Sequence, residues 1–156
     1  MMKCRSIACG ILISCAILLI FRFSLQDAPT SNTLSKQVTQ SVATVLEQTG
    51  LSESMKTPTN SEIRALAHFG LFFLLGLISM GSFLFQQISL RRATCVTLIL
   101  GMITALVDEI IQLSSNGRAF EWIDMGKDVL GVCVSIILIS ILVLIYRATK
   151  KAVEAF

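Results

Sequence analysis

Four stretches of this chain, residues 6–21, 69–90, 93–107 and 129–146, contain no Asp, Glu, Lys or Arg. That property leaves few folds open, because about 20 mainly apolar residues are what a helix needs to cross the hydrocarbon core of a bilayer. The second and fourth runs reach that length nearly alone. The first and third reach it with their flanks, Arg22 snorkelling outward and Ile110, Ile111 and Leu113 continuing the apolar face. Composition agrees: 54% of the 156 residues are hydrophobic, 15% are charged and mean hydropathy is +0.77, which is foreign to a soluble domain of this size. The expectation is an all-α, polytopic membrane protein. A single domain would carry four transmembrane helices at about residues 6–23, 64–88, 93–113 and 125–146.

The start of the chain, MMKCRSIACGILISC, resembles a signal peptide, and Leu12 to Cys15 fits a lipoprotein cleavage box. The sequence then continues AILLIF where a processed lipoprotein would turn polar, so an uncleaved signal anchor is expected. Cys4, Cys9, Cys15, Cys95 and Cys133 lie in or beside the spans without metal-ligand spacing or an obvious disulfide pairing. They are read as packing residues. No metal and no other cofactor is expected.

Orientation follows from basic residues in short connections. Lys3 and Arg5 precede the first span, Arg91 and Arg92 lie between the second and third, and Arg147, Lys150 and Lys151 follow the fourth. In a four-span topology these segments share one side. Both termini are therefore expected to be cytoplasmic. The net charge of +3 reflects this bias and gives no reason to expect nucleic-acid binding.

The opposite side receives a long loop, residues 24–62. Within it Leu34, Val38, Val42, Val45 and Leu46 recur at helical spacing, Ser and Asn residues precede them, and Gly50 follows. This predicts an amphipathic helix between the first two spans, lying on the outer membrane surface or over the mouth of the bundle. Residues 56–61, KTPTNS, read as a linker and cap for the second span.

The segment ALVDEIIQLSSNGR, residues 105–118, places Asp108, Glu109 and Gln112 at the outer end of an otherwise apolar helix. Arg64 and His68, four apart, stand at the outer start of the second span. Asp124 and Asp128, also four apart, stand at the outer start of the fourth, with Arg118 in the short connection before it. A charge near the bilayer centre costs about 2.5 to 3.5 kcal/mol on insertion scales unless it is paired or wetted. These groups are therefore expected to converge. A structural network would pair Arg64 and Arg118 with Asp108 and Asp124. Five carboxylates, counting Glu121, exceed two arginines and Lys127, however, and the excess favours an outward-facing binding pocket. Helix geometry turns Glu109 by about 100° from Asp108. Glu109 and Gln112 are expected to face the pocket, and Asp108 to face the helix interface near an arginine.

The ordered motifs RALAHF, DEIIQ and NGRAFEWIDMGKDVLG, with FRFSLQDAPTSNTLS before them, resemble the VanZ-like family of small bacterial membrane proteins. The resemblance runs from about Phe21 to Gly131. It marks Arg64, His68, Asp108, Glu109, Gln112, Gly117, Arg118, Asp124, Asp128 and Gly131 as the recurring positions. Many members have Pro where Asn116 stands and Asn where Asp128 stands. The resemblance implies a place in the cytoplasmic membrane of a bacterial cell, a role at the bacterial surface and a link to resistance against the lipoglycopeptide teicoplanin.

Two functions follow as expectations. In the first, the pocket binds the polar head group of a membrane lipid, a lipid-linked cell-wall precursor or a lipoglycopeptide, with Arg64 and Arg118 on phosphate or carboxylate and His68, Asp108, Glu109, Gln112, Asp124 and Asp128 completing the lining. In the second, Glu109 or Asp128 acts as acid or base with His68 in an intramembrane hydrolase or transferase. No nucleophile motif, phosphate loop or HExxH pair accompanies them. Transport ranks third, since four helices are few and no inverted repeat is visible. Gly70, Gly76 and Gly81 permit close helix contact without naming the partner, so oligomeric state is not legible.

Overall fold

The computed structural model describes residues 2–26, 28–50, 58–114 and 121–154, with the side chains of residues 2–4 and 28–30 excepted. The described residues form five helices: α1 (Met2–Ser24), α2 (Ala28–Gln48), α3 (Asn60–Phe85), α4 (Leu90–Leu113) and α5 (Trp122–Glu154). Apart from α2, each contains a stretch long and apolar enough to cross a membrane: Arg5–Ser24, Asn60–Phe85, Leu90–Leu113 and Trp122–Glu154. This is the all-helical, four-span architecture that the charge-free runs predict.

The helix ends follow local chemistry. Thr59 begins α3 with a capping box: its hydroxyl accepts from the Glu62 N–H at 3.3 Å, and the Glu62 carboxylate accepts from the Thr59 N–H at 2.7 Å. The α3 C-terminus closes without glycine. Gln87 takes a left-handed φ of 64°, its N–H donates to Leu84 O at 2.9 Å, and the Ile88 N–H donates to Phe83 O at 3.0 Å. This paired arrangement turns the chain directly into α4. The long loop contains a helix, α2, which begins earlier than the apolar repeat and is followed by Gly50 at φ 69°. Residues 51–57, which include part of the expected linker, lie outside the described residues.

Helix α3 is central and packs against each of the other four. The core comprises Ile20 of α1, Phe72, Leu75 and Met80 of α3, Ala93 and Ala105 of α4, and Val132 and Ile136 of α5. Large apolar side chains also face outward along the spans, among them Ile7, Leu18, Leu74, Ile103 and Ile141. An apolar girdle of that kind is the counterpart of a lipid surrounding. At about 1.5 Å per residue, α5 is longer than the ~30 Å hydrocarbon core, and Arg147, Lys150 and Lys151 stand on its final turns.

Close approach between α3 and α5 depends on two glycines. A Cβ on Gly131 would stand 2.5 Å from Phe69 O and 3.0 Å from Phe73 N, and one on Gly76 would overlap Ser135 Oγ. Gly70 and Gly81 have nothing within 4 Å of such a Cβ. Of the three glycines singled out in the second span, Gly76 alone is used for helix contact among the described residues.

Candidate functional site

Three helices each bring one acidic or imidazole side chain to a common point. His68 lies in the third turn of α3, Asp108 little more than one turn before the end of α4, and Asp128 in the second turn of α5. His68 Nδ1 stands 3.7 Å from Asp108 Oδ2 and 3.8 Å from Asp128 Oδ1. Both aspartates are buried, at 0% and 1% exposure, whereas the His68 side chain retains 16%. The α3–α5 approach at Gly131 sets the separation of His68 from Asp128.

Asp108 is the hydrogen-bonded member. Ser24 Oγ, from the end of α1, donates to Asp108 Oδ1, and Gln112 Nε2 donates to Asp108 Oδ2 at 2.8 Å. Among the described residues its hydrogen-bond partners are neutral rather than an arginine, because the i, i+4 spacing delivers Gln112 and the terminus of α1 delivers Ser24; Arg118 lies outside the described residues. Ser24, which is 0% exposed, was not among the residues expected at the site. The available signal was its place within FRFSLQ, where a small polar residue ends the apolar run of α1.

Asp128 is the opposite case. Neither of its carboxylate oxygens has a hydrogen-bond partner among the described residues, and the imidazole contact exceeds hydrogen-bond length.

The other acids go elsewhere. Glu109 is buried at 1% exposure, and its Oε2 accepts from the Glu121 N–H at 2.9 Å, just before α5; its Oε1 has no hydrogen-bond partner among the described residues. It thus docks the start of α5 rather than sharing a wall with Gln112, since the rotation between adjacent helix positions points it to a different neighbour. Asp124 is at the rim, 34% exposed, paired with Lys127 at 2.6 Å. Arg118 and Gly117 lie outside the described residues.

A cavity of about 540 Å³ opens beside this cluster, between the end of α1, helix α2 and helix α3. Arg64 and His68 stand on its α3 wall, followed down the helix by Leu71 and Leu74, and Leu34, Ser35 and Val38 of α2 face them. Arg64 to Leu74 spans about 15 Å of helix rise. Arg64 is half-buried and has no carboxylate partner among the described residues. The arrangement combines a long apolar slot, a cation near one end, and a buried acidic cluster reached through His68. It can accommodate an amphiphile and, separately, hold positive charge.

A protein-family model described as VanZ/LLP1 matches residues 9–144, a span that contains Arg64, His68, Asp108, Gln112 and Asp128. No curated protein and no solved structure matches the chain.

Proposed function

The chain belongs to the VanZ/LLP1 family, and from that premise we propose that it binds the head group of a membrane lipid or lipid-linked cell-wall precursor in a pocket opening at the outer face of the cytoplasmic membrane. The cavity carries this reading: its apolar slot suits a lipid chain, and Arg64 stands where a phosphate would lie. Orientation rests on the basic residues. Arg91 and Arg92, Arg147, Lys150 and Lys151, and Lys3 with Arg5 all fall on the side opposite the cavity and are assigned to the cytoplasm. Helix α2 then covers the outer mouth. Sequestering a wall precursor there would lower susceptibility to teicoplanin-type lipoglycopeptides. Asp124 is assigned to the surrounding polar rim.

The test is titration of the detergent-purified chain with a polyprenyl monophosphate in mixed micelles. Arg64→Gln is expected to weaken binding at least tenfold, the loss of a charge-assisted contact being worth about 1.5–3 kcal/mol. Equal binding by the variant and the unsubstituted chain, or no binding by either, overturns the reading.

The approach of His68 to Asp128 favours a second reading, a hydrolase or transferase acting on the same lipid class. His68 and Asp128 would be its acid and base, with Glu109 the further candidate. Mass spectrometry of lipids from cells expressing Asp128→Asn would then differ from those expressing the unsubstituted chain. Identical lipid profiles overturn it.

A further inference from the structure

His68, Asp108 and Asp128 each offer one ligand atom, all within 4.8 Å of one another, and each residue stands on a different helix. We propose that they form a site for a single divalent cation of the zinc or manganese class. The spacing is the first reason. Ligands about 2.1 Å from a tetrahedral metal stand about 3.4 Å apart, so separations of 3.7 and 3.8 Å from the imidazole are too long for hydrogen bonds and close to those of a chelate. A few tenths of an ångström closes the imidazole separations, and the two carboxylates, whose ligand atoms lie within 4.8 Å, must draw together by up to about 1.4 Å, which rotation of the Asp128 carboxylate, unbonded among the described residues, allows.

The second reason is independent of spacing. Asp128 is 1% exposed, yet neither carboxylate oxygen has a hydrogen-bond partner among the described residues, and Oδ1 faces the imidazole of His68. A buried carboxylate left in that condition is costly unless a cation meets it. Lys127, the adjacent cation on α5, is engaged by Asp124 at the rim. One divalent cation balances the two aspartates, with His68 binding as neutral imidazole through Nδ1.

The surroundings resemble a metal site's supporting layer. Ser24 and Gln112 fix the Asp108 carboxylate from two sides, and Oδ2 retains a lone pair beyond the one Gln112 uses. Three protein ligands leave a coordination position open, and His68 borders the 540 Å³ cavity. The chemical class therefore follows: an imidazole and two carboxylates favour a borderline or hard divalent ion over a soft one. An anionic oxygen of a ligand seated in the cavity is the natural occupant of the open position. This last step rests on the head-group reading; the metal site itself does not.

The experiment uses the full chain in detergent, stripped with a chelator, incubated with Zn²⁺ or Mn²⁺, desalted and assayed by elemental mass spectrometry, with no lipid ligand added. The unsubstituted chain is expected to retain close to an equimolar amount of at least one of the two ions. Asp128→Asn and His68→Gln should lose it, and Gln112→Ala, which removes only support for Asp108, should weaken affinity by about 10–100-fold. Co²⁺ titration of the unsubstituted chain provides a direct coordination spectrum and needs no variant to fold. Retention no greater than that of a chain lacking both His68 and Asp128, or absence of ligand-field bands with Co²⁺, overturns the proposal. Because lipid titration is read separately, a chain that binds lipid but no metal overturns this inference alone. One that binds metal but no lipid overturns the head-group reading alone.

Discussion

Gly131 has no functional group, yet it controls how near Asp128 comes to His68. Its neighbours at 2.5 and 3.0 Å from an added Cβ are backbone atoms of Phe69 and Phe73, and backbone in a packed helix cannot swing aside. Gly131→Ala is therefore expected to push α5 off α3 and destabilise the fold by about 1–3 kcal/mol, the usual cost of overpacking. Gly81→Ala, where nothing lies within 4 Å, should be neutral or stabilising by up to about 1 kcal/mol through helix propensity. Thermal unfolding in detergent compares them. Equal behaviour of the two variants would mean that the α3–α5 contact does not constrain the cluster. Both residues are glycines in apolar helices, and nothing in the local sequence separates them. The difference lies in which neighbour each meets.

At the scale of an element, the start of α5 is fixed from outside itself. The Glu121 N–H is satisfied by Glu109 of α4 rather than by a cap within its own segment. Glu109→Gln retains an oxygen acceptor and should keep most of the stability. Glu109→Ala leaves a part-buried donor unmet and is expected to cost about 1–3 kcal/mol. Unfolding measurements on both variants check this, and an equal loss in both would assign the effect to charge rather than to the hydrogen bond. This role and a place in the pocket leave the same signature in the sequence. An acid at the outer end of an apolar span signals a buried polar partner. Whether that partner is a ligand or the next helix's backbone depends on the intervening loop's path, which periodicity does not encode.

For the whole molecule, the assignment of sides makes a sharp prediction. Ser41 on α2 should be outside, and a Ser41→Cys chain with its native cysteines replaced should react with an impermeant thiol reagent in intact cells. Protection in intact cells, with reaction only after permeabilisation, would reverse the topology and put the cavity on the cytoplasmic side. The same inversion would remove wall precursors from the field of ligands while leaving the metal proposal standing. Helix α2 is the element best suited to this test, because Ser41 is exposed and α2 is the least apolar of the five helices.

The sequence by itself determined the membrane class, the four spans and the identity of the polar residues set among apolar ones. The physical reason is that transfer into lipid is close to additive along the chain, so a charge-free run declares itself without reference to anything distant. The tertiary structure decided which of those polar residues meet. Arg64, His68, Asp108, Glu109, Asp124 and Asp128 are equivalent by depth, but His68, Asp108 and Asp128 converge while Glu109 turns to Glu121 and Asp124 turns to Lys127. That selection is made by the rotation of each helix about its axis, and rotation is set by contacts between segments far apart in sequence: Gly131 against Phe69, Gly76 against Ser135, Ser24 against Asp108.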